Sequence, residues 1–324
     1  MAKEVIYLDF EEEIKEIDLQ INELKVYSTQ KGISYRHEIR DLEKERIRVI
    51  SRIYNNLTPW NIVQISRHPY RPILGDYIKY LFDDFKELHG DKSFGDDRSL
   101  ICGLCKINFE KVMLIGHNKG RSTEENIERN FGSPHPEGYK KALMKMKFAE
   151  KFKIPIITLI DTPGAYPGVG GEERGIFHAI ANNLMEMSRI KVPIISVVIG
   201  EGGSGGALGI GVSDRLSMFQ YSYYSVISPE GCAAILWKDA SYASEAAESL
   251  KLTSRELLKL GLIDDIIKEP FGGSHNNLHD AVFYLKSYLL RTLRELRRKK
   301  LSDLLEERYE KLRNVGKISQ ESKK

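Results

Sequence analysis

Two glycine-rich segments, each placed after an apolar run, carry the clearest chemical signal in the sequence. The first covers residues 164–171 after the run 156–160, and the second, 200–206, holds five glycines in seven residues after the run 192–199. Glycine lets the backbone approach a ligand with no Cβ in the way. A helix that begins at Gly205 or Gly206 would direct free backbone N–H groups toward the end of the preceding strand. Such amides can stabilise an oxyanion or bind a phosphate.

The elements that position these segments predict an α/β fold. The two apolar runs are rich in β-branched residues, which is typical of parallel strands buried on both faces. Strands at 100–107 and 112–117 are separated by a short polar connection and predict a hairpin. Helices are expected at 172–189, between the glycine segments, and at 207–211, after the second. The repeated order of strand, glycine turn and helix predicts right-handed crossovers.

The rest of the chain predicts helical extensions at both ends of this core. Apolar residues at helical spacing indicate two helices within 8–55, separated near Gly32, and another helix at 77–88. A long helix is expected from about Asn277, and the tail from Asn314 is expected to be disordered. We therefore divide the chain into an N-terminal helical region at 1–90, a core at 91–270, and a C-terminal helix with its tail at 271–324.

Composition and charge exclude several classes of protein. Charged residues make up 29% of the 324 residues and hydrophobic residues 41%, as in ordinary globular proteins. A net charge of +3 is too small to indicate nucleic-acid binding, although six basic residues at 291–300 keep a nucleic-acid-binding module open as an alternative. The apolar runs reach roughly ten residues, about half of what a membrane span needs. With no signal peptide evident at the N-terminus, we expect a cytoplasmic protein with no membrane contact.

The three cysteines, Cys102, Cys105 and Cys232, do not predict a disulfide framework or a metal site. An odd and sparse set fits a reducing compartment. Cys102 and Cys105 have the spacing of a zinc-binding pair, but a structural zinc site needs four ligands and the chain offers no second pair. Within a strand, a spacing of three also directs the two thiols to opposite faces of the sheet. We therefore interpret them as buried structural residues.

The second glycine segment formally matches a dinucleotide-binding pattern, Gly200-x-Gly202-x-x-Gly205. That pattern also requires an acidic residue about twenty positions further on, at the end of the next strand, to bind the ribose. Residues 221–226 contain no carboxylate. The sequence therefore disfavours a nicotinamide-dependent dehydrogenase.

The same segment also matches the nucleophile elbow of serine hydrolases, Gly202-x-Ser204-x-Gly206. Partners in the required order can be found as Asp264 or Asp265, followed by His275 or His279. Long chains offer such a set by chance, and five glycines indicate a turn built to expose backbone rather than one serine. In the remaining interpretation, backbone amides from both glycine turns converge on a carbonyl that becomes an enolate.

Several segments together resemble the carboxyltransferase α subunits of bacterial acetyl-CoA carboxylase. The resemblance covers nearly the whole chain except about the last ten residues. It is carried by the glycine segments themselves and by flanking motifs, namely residues 67–69, 116–121, 130–132, 158–168, 171–175, 200–208 and 224–233.

The resemblance implies a crotonase-like ββα spiral with N-terminal and C-terminal helical extensions. Members of this family transfer the carboxyl group from carboxybiotin, which is held on the biotin carboxyl carrier protein, to acetyl-CoA, and the malonyl-CoA formed enters fatty acid biosynthesis. The α subunit acts only with a zinc-ribbon β subunit in an α2β2 heterotetramer, and biotin carboxylase completes the full complex. The active site lies between the two kinds of subunit, and the resemblance implies no metal on this chain.

The family's motifs also imply roles for individual glycines. Gly205 and Gly206 match the pair whose amides stabilise the ureido enolate of biotin as carbon dioxide leaves. Gly168, in the first glycine turn, is a candidate for a converging donor. Each of these glycines also has a structural interpretation, in which the turn needs glycine only for its conformation.

Four side chains are candidates for substrate binding. Tyr166 and Tyr224 are expected to flank the biotin ring, although packing in the core is an equal alternative. Lys119 and Arg121 follow a strand end and are expected to attract the anionic phosphates of CoA, with a solvated turn as the alternative.

Overall fold

One twisted sheet organises the chain, and the computed structural model describes residues 5–316. Within this range the sheet has eight strands in the order β1-β2-β3-β4-β5-β6-β8, with β7 paired to β5. The strands are β1 Asp83–Glu87, β2 Leu100–Ile107, β3 Glu110–His117, β4 Ile156–Thr162, β5 Ile194–Gly203, β6 Arg215–Phe219, β7 Tyr223–Ser225 and β8 Asp265–Ile267.

Fourteen α-helices surround this sheet within the described residues. They are α1 Glu12–Lys31, α2 Arg36–Asn55, α3 Pro59–Ser66, α4 Leu74–Leu81, α5 Thr123–Glu128, α6 Pro136–Lys151, α7 Val169–Glu173, α8 Ile176–Met187, α9 Ser204–Leu208, α10 Pro229–Leu236, α11 Ala243–Ser249, α12 Ser254–Lys259, α13 Leu278–Arg297 and α14 Leu301–Asn314. None of the helices in the described range is long and apolar enough to cross a membrane.

The sheet combines an antiparallel hairpin with a parallel core. Strands β2 and β3 pair antiparallel, as predicted, around a turn in which Asn108 has a φ of 55°. Pairings from β3 through β4, β5 and β6 to β8 are parallel. Every residue of β4 and β5 is buried, because helices α6 and α8 cover one face of the sheet while α4 and α13 cover the other. The β-branched runs thus form the doubly covered strands that the sequence predicts.

The two closely spaced cysteines lie on opposite faces of β2, as their spacing predicts. Cys102 packs with residues of α6 and Cys105 with residues of α4 and α13. Burial raises the pKa of each thiol to about 12. Two side chains separated by a sheet cannot ligate one metal ion, so they act as small core residues.

Two sequence-based helix predictions are wrong, each for an identifiable reason. The helix expected at 77–88 ends at Leu81, and β1 follows because its backbone pairs with β2. The ring of Phe85 occupies the space left by Gly103, where an added Cβ would lie 2.4 Å from the ring. The single helix expected at 172–189 is divided at Gly175, which has a φ of 77°. β1 also means that the region 1–90 is not wholly helical.

The N-terminal helices α1 and α2 form the antiparallel pair expected from the sequence, and the first ends at Gly32, whose φ is 65°. Their apolar faces pack on each other and on α3. Tyr221, which precedes β7, belongs to the same cluster and contacts the ring of Tyr54 in α2. The pair therefore packs against the core of its own chain.

The C-terminal part contains one more helix than expected. Helix α13 begins at Leu278 as predicted, but Lys300 interrupts it and α14 then continues to Asn314. The predicted disorder is wrong for Asn314, and residues 317–324 lie outside the described residues.

Helix α14 is fastened to the core by one buried arginine. The fully buried Arg308 binds Asp214 through Nη2 at 2.7 Å and Nε at 2.8 Å. Its remaining N–H groups donate to the backbone oxygens of Met187, Ile190 and Val192. Asp214 also accepts a bond from the amide of Ile194 at the start of β5. One guanidinium group therefore pairs with the Asp214 carboxylate and donates to three backbone oxygens close to the start of the central strand β5.

We expect Arg308→Met to lower the free energy of unfolding by about 3–5 kcal/mol, because it leaves the Asp214 carboxylate buried without its charged partner. Urea denaturation of the two proteins measures the difference. Arg313→Met, on the exposed side of the same helix, is the matched control and should change stability by less than about 0.5 kcal/mol. Equal losses for the two variants would show that Arg308 contributes no more than a surface residue.

Candidate active site

The two glycine turns meet at the carboxyl ends of neighbouring parallel strands, β4 and β5. A Cβ added to Gly206 would lie 2.5 Å from the carbonyl carbon of Gly164 and 2.6 Å from the nitrogen of Ala165. At Gly203, a Cβ would lie 2.1 Å from the carbonyl oxygen of Pro163. Backbone thus packs directly on backbone, and no other residue type fits either position. Sequence reasoning predicted that the turns converge, and the structure brings them into contact.

A cavity of about 580 Å³ opens between the two turns and helix α8. Gly205 and Gly206 line it from α9, and no side chain caps the start of that helix. The first N–H groups of an α-helix have no acceptor within the helix. The other wall is formed by apolar residues of α8, namely Ile176, Phe177, Ile180, Ala181 and Leu184. Gly205 and Gly206 therefore bring backbone without side chains to a cavity that has an apolar wall.

Gly205 differs from its neighbour in what surrounds it. An added Cβ would meet only Ile180 Cδ1, at 3.6 Å, which is an ordinary van der Waals distance. Because Gly205 and Ile180 both line the cavity, the methyl group would project into the open space. The fold therefore has room for a small side chain at position 205, and such a side chain would reduce the volume of the cavity.

Gly168 and Tyr166 also line the large cavity, from the first glycine turn. Tyr166 packs on the ring of His135 with 4.0 Å between centroids. An added Cβ on Gly168 would lie 2.5 Å from the Tyr166 ring, and Gly168 is the residue before α7. A packing need is therefore enough to explain Gly168, and its role as a donor stays a prediction.

Tyr224 lines a second cavity of about 450 Å³ that shares Ser204 and Gly205 with the first. Burial raises the pKa of Tyr224 to about 12. Tyr166 and Tyr224 thus line different cavities, and Ser204 and Gly205 line both. The prediction that both tyrosines flank one ring is untested, but this placement requires a ligand that extends across Gly205.

Beneath the glycine turns, Lys119 joins two buried carboxylates. Its Nζ lies 2.7 Å from Asp161 Oδ1 and 2.6 Å from Glu201 Oε2. Asp161 is the penultimate residue of β4, just before the first glycine segment, and Glu201 lies within the second. Burial alone would lower the pKa of Lys119, but Asp161 and Glu201 more than offset it and raise the pKa. The ammonium group therefore stays charged and ties the two turns together.

A second cation completes this cluster from the side of α3. Arg67 Nε donates to Glu201 Oε1 at 2.7 Å, and the hydroxyl of Tyr223 donates to the same oxygen at 2.8 Å. Burial would raise the pKa of Glu201, but Lys119 and Arg67 lower it to about 2. Gly200 lies against Asp161, whose Oδ1 would be 2.5 Å from an added Cβ.

Neither basic residue predicted to attract CoA phosphates lines the two cavities. The ammonium group of Lys119 already forms ion pairs with Asp161 and Glu201. Arg121 is more exposed, pairs with Asp76 and donates to the carbonyl oxygen of Pro69 at 2.8 Å. Their predicted role stays a prediction.

The hydrolase alternative is not supported by the geometry. Ser204 has a φ of 49°, as a strained nucleophile would, yet it makes no hydrogen bond to a histidine within residues 5–316. His275 instead stacks on His68 with 4.1 Å between centroids, and His279 packs on Tyr80. Asp264 binds Lys311. The residues of the proposed triad are therefore not assembled.

Sequence reasoning missed the buried groups behind the glycine turns. His117, at the end of β3, is fully buried, and burial lowers its pKa to about 3, so the imidazole is neutral. Tyr139 and Asn183 are also fully buried, and both donate to backbone oxygens of the segment that begins with α9. The signal available was that Tyr139 and Asn183 fall at helical spacing from the buried apolar residues of α6 and α8, but the sequence does not show which backbone group each one reaches.

The family described as acetyl co-enzyme A carboxylase carboxyltransferase-like matches residues 7–316. Among curated proteins, the acetyl-coenzyme A carboxylase carboxyl transferase subunit alpha of Coxiella burnetii is 54% identical over 311 residues, which cover 96% of this chain and 98% of that one. The chain belongs to the acetyl-CoA carboxylase carboxyltransferase family. A second relative with the same name, from Chromohalobacter salexigens, is 51% identical over 310 residues. The resemblance described from the sequence is confirmed, and with it the enzyme class, a carboxyltransferase.

Several solved structures share the fold of this family member. Transcarboxylase 12S superimposes with a TM-score of 0.51 at 23% identity, over 65% of this chain and 41% of that one. A Pseudomonas malonate decarboxylase hetero-tetramer in complex with coenzyme A gives a TM-score of 0.52 at 16% identity, over 66% of this chain and 86% of that one. At these identities the likeness concerns the fold, and it confirms the predicted crotonase-like class.

The Glu201 cluster predicts a specific dependence of stability on pH. A carboxyl group whose pKa is about 2 in the folded protein and about 4.3 unfolded stabilises the fold above pH 4.3, and this contribution is lost as the pH falls toward 2. We expect the difference in unfolding free energy between the wild type and Glu201→Gln to shrink by roughly 3 kcal/mol over that range. Urea titrations between pH 7 and pH 2.5 or so measure it.

Glu306→Gln, on the exposed surface of α14, is the control, and its difference from the wild type should not vary in this way. A pH-independent difference for Glu201→Gln would show that the carboxylate is not held in its charged form by Lys119 and Arg67.

Proposed function

We propose that this chain is the α half of a carboxyltransferase that moves a carboxyl group from carboxybiotin to acetyl-CoA and forms malonyl-CoA. Biotin would be carried on the biotin carboxyl carrier protein, and a zinc-ribbon β subunit would supply the rest of the site. The observation that carries the proposal is the direct contact of the two glycine turns, which places Gly205 and Gly206 on the lining of one cavity. Membership of the family supplies the reaction class.

The open amides suit the charge that develops during carboxyl transfer. Carboxybiotin supplies a carboxyl group whose bond to the ureido nitrogen breaks, so that negative charge collects on the ureido oxygen. Donors that are already oriented stabilise such charge without reorganising, and removing one donor typically costs on the order of 10²–10³ in rate. Gly205 and Gly206 would donate to this oxygen. Gly168, across the cavity, is a further candidate donor.

The lining of the cavity fits a flat, mostly apolar ring with one polar edge. The α8 residues provide an apolar wall, and Tyr166 provides an aromatic one. Glu172 and Tyr166 are the titratable side chains of the lining, and the proposal assigns neither as a base. The ureido nitrogen would release its carboxyl group as carbon dioxide and take the proton that leaves the methyl carbon of acetyl-CoA. The methyl carbon would then form the new C–C bond to that carbon dioxide and give malonyl-CoA.

Exposed apolar residues around the two cavities support a protein partner. Phe177 is 74% exposed, Val226 is 76% exposed and Leu208 is 42% exposed, and all three line one of the cavities. A group of large apolar side chains exposed around a site is typical of a protein interface. The β subunit would cover them, complete an α2β2 assembly and exclude water from the amides. Biotin carboxylase and the carrier protein would join this pair in the full complex.

The positions of Tyr224, Arg121 and Lys119 indicate which of them could reach a ligand. Tyr224 would contact the ligand from the second cavity, on the other side of Gly205. Of the two basic residues, Arg121 is the better candidate for CoA phosphates, because Lys119 is already neutralised by two carboxylates.

Reconstitution tests the proposed division of the site. The purified chain is mixed with its β partner and carboxybiotin or free biotin, and carboxyl transfer to or from the acyl-CoA is followed in either direction. We expect turnover only in the mixture, because the chain alone lacks the surface that covers the amides. Turnover by this chain alone at the rate of the mixture would contradict the proposal.

A pair of neighbouring substitutions separates the role of the amides from that of the serine. We expect Gly205→Ala to fold normally, since its Cβ has room, and to lower kcat on the order of 10²-fold by obstructing access to the donors. Ser204→Ala should keep most of the activity. Steady-state kinetics of the reconstituted complex and thermal melting of each chain provide the measurements.

The reverse pattern, with Ser204→Ala inactive and Gly205→Ala active, would favour a serine hydrolase. Gly206→Val should also abolish activity, but its side chain would collide with the backbone of Gly164. It is therefore less informative than Gly205→Ala.

A further inference from the structure

We infer that Tyr139 is a positioning residue for the carboxyl-transfer site, and that it acts from the buried side by holding the carbonyl group of Gly206, in the peptide unit that follows the proposed donor. This inference rests on the proposed function of the Gly205 and Gly206 amides. Tyr139 does not line either cavity, so it acts through the backbone rather than on a ligand.

The contact itself is a single buried hydrogen bond. The hydroxyl of Tyr139 donates to the carbonyl oxygen of Gly206 at 3.1 Å. The side chain is fully buried in α6, and burial raises the pKa of the hydroxyl well above its usual value. The hydroxyl group therefore stays protonated at neutral pH and can donate.

The aromatic ring is placed by a second glycine of the same segment. An added Cβ on Gly209 would lie 2.4 Å from Tyr139 Cε1 and 2.6 Å from Cδ1. Gly209 thus leaves the space in which the ring lies flat on the backbone. Tyr139 thus contacts this segment at two glycines. Its hydroxyl group binds Gly206, and its ring packs on Gly209.

Two further side chains extend this arrangement along the segment. Asn183 Nδ2, from α8, donates to the Gly209 carbonyl oxygen at 2.9 Å and to the Tyr139 carbonyl oxygen at 3.1 Å. Thr158 Oγ1, from β4, donates to the Ile210 carbonyl oxygen at 2.8 Å. Asn183 and Thr158 are fully buried. Each carbonyl oxygen that they reach is therefore held by a rigid element of the core.

The need for such support follows from the segment's own sequence. Helix α9 has five residues, too few to hold itself by internal hydrogen bonds. Gly205 and Gly206 have the widest backbone freedom of any residue type, so rotation about their Cα bonds could turn the amides away. A side-chain donor on the ligand side would block the cavity. Tyr139 removes the freedom from the opposite side and leaves the donors open, as preorganised catalysis requires.

Tyr139→Phe tests this inference because it removes only the hydroxyl group. In the reconstituted complex we expect kcat to fall about tenfold or more, with the KM for acyl-CoA changed by less than about twofold, since the fixed amides matter mainly when charge develops. Amide hydrogen exchange of the full chain, measured for the peptide that contains Gly205 and Gly206, should become faster.

Tyr288→Phe is the matched control. Its hydroxyl is also buried and lies 2.5 Å from Ser217 Oγ, but the residue packs on the other face of the sheet. It should affect thermal stability to a similar degree as Tyr139→Phe while leaving kcat and the exchange of the Gly206 peptide unchanged. Gly209→Ala should reproduce the kcat loss of Tyr139→Phe, because its methyl group displaces the tyrosine ring.

The outcomes separate this inference from the proposed function. If the wild-type complex is active and Tyr139→Phe matches Tyr288→Phe in kcat and in hydrogen exchange, the positioning role is wrong. If the wild-type complex shows no carboxyl transfer, the proposed function fails, while the exchange measurement on the chain alone still decides whether Tyr139 fixes the Gly206 peptide.

Discussion

The site depends on one buried ammonium group that holds two carboxylates. Asp161 and Glu201 belong to adjacent parallel strands whose pairing becomes irregular at this level, between Ile160 and Thr162. Unpaired, these carboxylates would repel each other and would be expensive to bury. Lys119 pairs with both carboxylates, which offsets their repulsion and the cost of burying them, and it thereby holds the ends of β4 and β5 together. The contact between the glycine turns, and the cavity beside it, exists because this pairing fixes where the two strands end.

The buried side and the cavity side of the glycine segments have different roles. On the buried side, charged and polar side chains satisfy each other and the backbone, as in the Lys119 cluster and at Tyr139. On the cavity side, no side chain caps the start of α9, and the wall formed by α8 is apolar. A donor keeps its strength for a ligand only if no other group competes for it. The core therefore provides the rigidity, and the open face brings the backbone of Gly205 and Gly206 to a mostly apolar cavity.

The sequence predicted the features that depend on local pattern. The hairpin, the buried strands, the glycine turns and the start of α13 follow from hydrophobic periodicity and from glycine, and the family follows from motifs in the same segments. The errors and omissions depend on distant partners. Strand β1 forms because Phe85 and β2 meet across an edge of the sheet, and Lys119 finds Asp161 and Glu201 on two strands that come later in the chain. The carbonyl group that Tyr139 binds is 67 residues away, a distance that no local pattern spans.

The attachment of α14 has a consequence for how the chain is made. The ribosome synthesises this helix after every strand of the sheet, yet its Arg308 supplies the partner for Asp214 at the entrance to the central strand β5. Until the arginine emerges, a nascent chain carries a carboxylate at that entrance with no cation to meet it. The central strand can therefore reach its final stability only late in translation, and a chain truncated before α14 would be a substrate for chaperones and proteases rather than a smaller enzyme.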